Sequence, residues 1–184
     1  MEYRRYRPAD ASAVLALQDA NQRDTTALPQ QGFLSARLDA GQLAEIARDL
    51  AVMVAIEGDA MAGYLCAAHA ELGARIPVVA AMLEQLPRVS FLGRPLSGQR
   101  TFVYGPVCVA QAWRGRGVLR GLYDALRREI AGDYDAGVLF VAKDNPHSLH
   151  AHADGLGMSL VGDFEFGARR YWILAFPIPL PPHC

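Results

Sequence analysis

The stretch Val107-Cys-Val-Ala-Gln-Ala-Trp-Arg-Gly-Arg-Gly-Val-Leu-Arg-Gly-Leu-Tyr-Asp-Ala-Leu126 decides how this chain reads. It opens as an apolar run, the pattern of a buried strand. It closes with Leu119, Leu122 and Leu126, continued by Ile130, on one face of a helix, while Arg120, Asp124, Arg127 and Arg128 point elsewhere. Between the two lies Arg114-Gly115-Arg116-Gly117. Glycines at a helix start let backbone amides approach an anion closely, and the helix dipole favours negative charge there. Arg114, Arg116 and Arg120 add countercharge, so the segment spells a phosphate or pyrophosphate cradle.

Two common nucleotide loops do not fit it. A Walker loop needs Gly, four residues, then Gly-Lys-Ser/Thr, and the chain contains no such string. A dinucleotide fingerprint starting at Gly115 needs glycine at position 120, which is Arg120; Gly121 comes one place late.

Working outward, Thr101 to Ala110 is the strand that feeds the loop and Gly117 to about Ala131 the helix that leaves it. Upstream, Glu2 to Arg7 alternates as a first strand, and Pro8-Ala9-Asp10 opens a helix carrying Val14, Leu15 and Leu17 to a polar stop at Asn21. A loop rich in Gln, Thr and Pro follows through Phe33. Asp39 with Gln42 three residues on is a capping box, heading a helix whose apolar face is Leu43, Ile46, Ala47 and Leu50. Val52 to Ile56 and Met61 to Ala68 form a hairpin turning at Glu57-Gly58-Asp59. Ile76 to Leu86 is a short helix and Pro87 to Gly98 a loop. Downstream come a strand (Gly137 to Ala142), a short helix (Pro146 to Gly155) and two strands (Ser159 to Phe166, Arg169 to Phe176). No repeat or break in composition divides the chain. The expectation is one α/β domain with a mixed sheet over residues 1–176, then an extended Pro-rich tail over 177–184.

Composition bounds the partners. The chain has 184 residues, 52% of them hydrophobic, enough for a sizeable core. Eighteen basic residues, seventeen of them arginine, face nineteen acidic ones for a net charge of −1. A near-neutral chain lacks the footprint of a nucleic-acid or anionic-membrane binder. The N-terminus shows no apolar signal core, and apolar runs such as Ile76 to Leu83 and Tyr171 to Phe176 are too short to span a bilayer. Cys66, Cys108 and Cys184, odd in number and widely spaced, read as reduced thiols in a cytoplasmic protein.

The loop resembles the acyl-CoA loop of the GCN5-related N-acetyltransferase (GNAT) superfamily, a strand ending in Val and then Arg/Gln-x-x-Gly-x-Gly/Ala at a helix start. Val109, Arg114 and Gly117 match, and Leu119 stands where the family has Gly or Ala. A second segment, Lys143-Asp144-Asn145-Pro146-His147-Ser148-Leu149-His150-Ala151-His152 followed by Leu156-Gly157-Met158, is similar to the family's Asn-x-x-Ser/Ala-x-x-x-Tyr/His and Leu-Gly-Phe. It carries one extra residue between His152 and Leu156.

The resemblance implies a twisted, mostly antiparallel mixed sheet with two splayed central parallel strands, flanked by helices. It implies acetyl-CoA as acyl donor substrate, without a metal. The pantetheine arm would lie against Val107, Cys108 and Val109, with Asn145 and Ser148 beside it. The pyrophosphate would sit on the amides of Gly115, Arg116, Gly117, Val118, Leu119 and Arg120, with Arg114 alongside. The resemblance further implies direct attack by an amine, a strand amide near Cys108 to Ala110 for the oxyanion, and His152 and Tyr104 as catalytic groups, His152 protonating the CoA thiolate. The acceptor would be a small molecule or a peptide amine, lying against Asn21 to Phe33 and His69 to Gly98. Homodimer formation, with the tail crossing to a neighbour, is a further expectation.

Other readings compete with these. His147, His150 and His152 can be taken together as zinc ligands of a hydrolase, although 147 and 152 diverge on a regular helix. His152 can equally be a surface histidine. Cys108 can be a nucleophile, but in a buried strand cysteine behaves as a small hydrophobe. Neither Thr101 to Ala110 nor Gly137 to Ala142 contains a carboxylate to serve as general base; Glu71, Asp24, His69 and Tyr104 are candidates, and a water chain or prior deprotonation of the substrate would also serve. A catalytically inactive acyl-CoA-binding module of the same fold is the alternative function.

Overall fold

A computed structural model describes residues 1–25 and 37–178, with the side chains of residues 22–25 excepted. Seven strands form one mixed sheet: β1 (Glu2–Arg5), β2 (Ala51–Glu57), β3 (Ala60–Ala68), β6 (Thr101–Val109), β7 (Ala136–Ala142), β8 (Ser159–Phe166) and β9 (Arg169–Pro177), in the order β1-β2-β3-β6-β7-β9-β8. Two short strands, β4 (Ser90–Phe91) and β5 (Arg94–Pro95), pair separately. β6 and β7 run parallel, from Thr101 opposite Ala136 to Val103 opposite Val138. The pairs β1–β2, β2–β3, β7–β9 and β8–β9 are antiparallel. The fold is thus the expected α/β arrangement with a mostly antiparallel mixed sheet. Contacts divide the chain into two compact units, Met1–Ala68 with Gly105–Glu129 and His69–Tyr104 with Ile130 onward, and β6 passes from the second into the first between Tyr104 and Gly105.

In the first unit, β1 ends at Arg5 rather than Arg7, because Arg7 caps a 3-10 turn at Pro8–Asp10. Asp10 accepts two hydrogen bonds from the Arg4 guanidinium, at 2.7 and 2.9 Å, and one from the Arg7 amide. The Arg4 bonds hold the Asp10 carboxyl below its usual range. Helix α1 (Ala11–Thr25) runs past Asn21 instead of stopping there. The buried Asn21 side chain donates back to the Leu17 carbonyl at 2.9 Å, and satisfying it this way removes the reason to end the helix. Gln18 bonds both the amide and the carbonyl of Leu38. Helix α2 (Ala40–Asp49) has the expected capping box: Asp39 Oδ1 accepts from the Gln42 amide at 2.8 Å, and Gln42 Oε1 accepts from the Asp39 amide at 2.9 Å. Such a cap is worth about 1 kcal/mol.

Helix α5 (Val118–Glu129) corrects the predicted face. Val118, Leu122, Ala125 and Leu126 are buried, whereas Leu119 is half-buried. The helix starts one residue after Gly117, and the row 118, 122, 126 lies on the sheet at i, i+4 spacing. Ile130 is buried just beyond the helix end.

The second unit holds α3 (Ala70–Gly73), α4 (Pro77–Leu83) and α6 (Pro146–Leu156). Val78, Val79, Met82, Leu86, Phe91, Leu96, Val103, Val138, Phe164 and Ile173 make its core. The expected loop from Pro87 to Gly98 contains the β4–β5 hairpin and a 3-10 turn, Leu96–Gly98. The hairpin turns at Leu92 and Gly93, both at positive φ. Leucine there is not the Asn or Asp that marks such turns in a sequence. The Gln99 amide donates to the Phe91 and Arg94 carbonyls and braces the hairpin. At the other end, Pro177 still belongs to β9, and Ile178 is buried with its amide on the Asp135 carbonyl. Residues 177 and 178 of the expected tail therefore pack with the fold, and residues 179–184 lie outside the described residues.

Gly137 fixes the packing of β7. A Cβ there would stand 2.2 Å from Phe176 Cζ and 2.8 Å from Phe102 Cζ, two rings packed edge to face. Gly137→Ala forces both rings off their positions, an overpacking cost of about 2 kcal/mol or more. In calorimetry the midpoint is expected to fall by roughly 5 °C; a midpoint within about 1 °C of the parent would contradict this packing.

Candidate active site

β6 alternates at its C-terminal end: Cys108 is buried, while Val107 and Val109 are half-exposed. The strand then breaks into a 3-10 turn, Gln111–Trp113, and the loop Arg114 to Gly117. Gly115 and Gly117 take φ values of +72° and +80°, which an L side chain adopts only under strain, and no atom lies within 4 Å of a Cβ built on either. Gly117 accepts the first bond of α5 from the Gly121 amide at 2.9 Å. The amides from Gly117 to Arg120 consequently have no acceptor within the helix. An open backbone at a helix N-terminus is an arrangement that can receive a phosphate.

The arginines divide the work differently from the sequence reading. Arg116 is exposed, with its guanidinium over the Trp113 ring at 5.5 Å from the centroid; Arg120 is exposed as well. Arg114 is instead turned into the protein. Its Nε donates to the Val109 carbonyl at 3.2 Å, and its Nη2 donates to Asn21 Oδ1. Arg114 is therefore a strut that ties the loop to β6 and α1, and the exposed positive charge rests on Arg116 and Arg120. Asn21 was missed as its partner because nothing in the sequence relates the two positions.

The Cys108 thiol is pushed up to about 12 by burial, with Arg114 opposing. It stays protonated near neutrality and packs as a small apolar group. The Cys66 thiol is likewise raised to about 12, and Cys184 lies outside the described residues. The Ala110 amide donates to the Ala62 carbonyl at 2.9 Å. That removes it from the oxyanion donors expected between Cys108 and Ala110.

The second unit carries the other motif. Asn145 caps α6: its Oδ1 accepts from the Ser148 amide at 3.1 Å, leaving Nδ2 as the end able to meet a ligand. Gly157 ends the helix in the left-handed region, with its amide on Ala153 and that of Met158 on His152. His152 is buried, which corrects the surface reading. Its Nδ1 donates to the Ser148 carbonyl at 2.8 Å, and Nε2 is buried without a hydrogen-bond partner. The Tyr104 ring, also buried, meets the His152 ring edge to face at 5.7 Å and the Phe176 ring at 5.4 Å. Burial pushes the imidazole below its usual value, against the raising effect of the Ser148 carbonyl. Near neutrality it is therefore neutral, with the lone pair on Nε2.

His147 and His150 are exposed, and His150 pairs with Asp154 at 2.8 Å, so the three imidazoles of α6 do not converge. Among the described residues no group of three His, Cys, Asp or Glu side chains could hold a metal ion. Of the base candidates, His69 Nε2 is engaged with the Tyr134 hydroxyl at 2.7 Å, Glu71 is exposed, and the Asp24 side chain lies outside the described residues, as do residues 26–36 of the expected acceptor loop. Among the described residues no helix is long and apolar enough to cross a membrane.

The fold is that of the GNAT acetyltransferases. An acetyltransferase of the GNAT family from Streptococcus agalactiae superposes with a TM-score of 0.69 at 14% identity, over 96% of this chain and 94% of that one. A ribosomal-protein-alanine N-acetyltransferase from Brucella melitensis gives 0.59 at 19% identity, over 96% and 99%. A GNAT superfamily phosphinothricin acetyltransferase from Sinorhizobium meliloti, in complex with acetyl-CoA, gives 0.59 at 14% identity, over 97% and 88%. No protein-family model and no curated protein sequence matches the chain.

Proposed function

We propose that this chain is an acyl-CoA-dependent N-acyltransferase that moves an acetyl group from acetyl-CoA to the amine of a small molecule or peptide. The observation that carries this reading is the open, positive-φ backbone at Gly115 and Gly117 ahead of α5. The bound acetyl-CoA of one structural neighbour and the ribosomal-protein-alanine activity named for another support it.

In this reading the amides from Gly115 to Arg120, with the side chains of Arg116 and Arg120, hold the diphosphate. The backbone from Val107 to Val109, Asn145 Nδ2 and Ser148 face the pantetheine arm. A neutral acceptor amine attacks the thioester carbonyl directly, forming the C–N bond, and the amide of Cys108 or Val109 stabilises the oxyanion. His152 Nε2, carrying a lone pair, takes the proton shed by the nitrogen. It then returns that proton to the thiolate as the C–S bond breaks. Tyr104 orients the ring of His152.

One observation favours a second reading, a module that binds acyl-CoA without transferring. Neither β6 nor β7 carries a carboxylate, and His152 Nε2 is sealed from solvent. Measuring CoA release from acetyl-CoA over a panel of amines separates the two. Turnover on at least one amine is expected; tight CoA binding with no turnover on any would favour the binding module, and no CoA binding at all would sink both.

A further inference from the structure

From the bridge between α1 and the glycine-arginine loop we infer that Asn21 is a positioning residue for the diphosphate-binding backbone, acting through Arg114. This inference rests on the proposed acyl-CoA function and deepens it. Asn21 uses both ends of its amide: Nδ2 donates to the Leu17 carbonyl one turn back on α1, and Oδ1 accepts from Arg114 Nη2. The two bonds also fix which way the amide is turned. Arg114 in turn donates from Nε to the Val109 carbonyl at the end of β6. The chain of bonds runs Leu17, Asn21, Arg114, Val109, and it clamps the residue immediately before Gly115. The helix backbone at one end and the strand backbone at the other are both parts of regular elements, so the side chains between them have fixed anchors.

The loop needs such a clamp. Gly115 and Gly117 have the conformational freedom of glycine, and both stand in open space, so local sterics do little to select their positive φ. A diphosphate bound by backbone amides requires those amides to be aimed before binding; otherwise ordering them is subtracted from affinity. Asn21 is buried and contributes no charge, and Arg114 directs Nε and Nη2 to partners within the protein. Their contribution is to the direction of the backbone, and it should be felt only by ligands that reach the diphosphate site.

That restriction supplies the test. Asn21→Leu keeps the branching at Cγ and removes the acceptor. Measured against acetyl-CoA, its KM is expected to rise about tenfold, as for loss of one charge-assisted bond. Against S-acetylpantetheine, which lacks the diphosphate, KM should change less than about twofold. Asn21→Asp, which again accepts from the guanidinium, should recover most of the acetyl-CoA affinity. In an Arg114→Met background Asn21→Leu should add almost nothing, because the two residues act as one unit. Equal losses for both donors would make Asn21 a general stabiliser and overturn the inference, as would an unchanged KM for acetyl-CoA or independent effects in the double variant. Absence of CoA binding by the parent protein would sink the proposed function, and this inference with it.

Discussion

Gly117→Asp is expected to lose at least a hundredfold in CoA affinity by calorimetric titration while keeping the parent fold. Two independent costs combine. The first is conformational: Gly117 sits at φ +80°, and a side chain in the left-handed region costs roughly 1–2 kcal/mol. The second is electrostatic, since the new carboxylate would stand at the helix N-terminus where the diphosphate binds. Two like charges about 4 Å apart near a surface repel by up to about 4 kcal/mol. Even half of that, added to the strain, amounts to about a hundredfold or more. The open space around Gly117 means the aspartate overlaps nothing within 4 Å of a built Cβ, and a carboxylate is favoured at a helix N-terminus, so α5 should persist. Gly117→Asn divides the two costs. Asparagine tolerates the left-handed region and carries no charge, so its loss should be tenfold or less. Circular dichroism checks the fold of each variant. Equal CoA affinity in Gly117→Asp and the parent would remove the loop from the binding site.

The part of this molecule that a sequence exposes is the part written in local chemistry. The glycines at 115 and 117 are legible because a positive φ before a helix admits few other residues. The capping box at Asp39 and Gln42 is legible because both of its bonds close within one helical turn. What stayed hidden depends on tertiary placement. Arg114 reads as a countercharge until its partner Asn21, 93 positions away, is seen to accept from it. Ala110 reads as a free strand amide until β3 is placed beside it and Ala62 takes the bond. The hairpin at Leu92-Gly93 was illegible for another reason, since its turn uses a residue that the turn chemistry disfavours. His152 shows the same limit in the short helix α6, where a histidine looks alike whether it faces water or the core.

That burial makes His152 the second large test. His152→Phe keeps an aromatic ring against Tyr104 and removes both nitrogens, so it should fold. If Nε2 carries the proton from amine to thiolate, turnover falls by about a hundredfold or more, the usual scale of general acid–base catalysis. The acceptor-saturated rate should bear the loss, with CoA affinity nearly unchanged. The same residue predicts a stability effect whose sign follows from burial. Its imidazole is held below the ordinary value in the folded protein, so from about pH 6.5 downward the unfolded chain binds a proton that the folded one refuses. Its contribution to stability is complete above that pH and is lost as pH falls through the lower folded value. The slope is at most about 1.4 kcal/mol per pH unit. Around the ring stand the Tyr104 edge, the Ser148 carbonyl and, 3.4 Å from Nδ1, the Ser148 hydroxyl. Unfolding midpoints measured from pH 7.5 to 5 should therefore drop more steeply for the parent than for His152→Phe. Parallel curves would mean that His152 is not the buried neutral imidazole described, and parent-like turnover in the variant would remove it from proton transfer whatever the curves show.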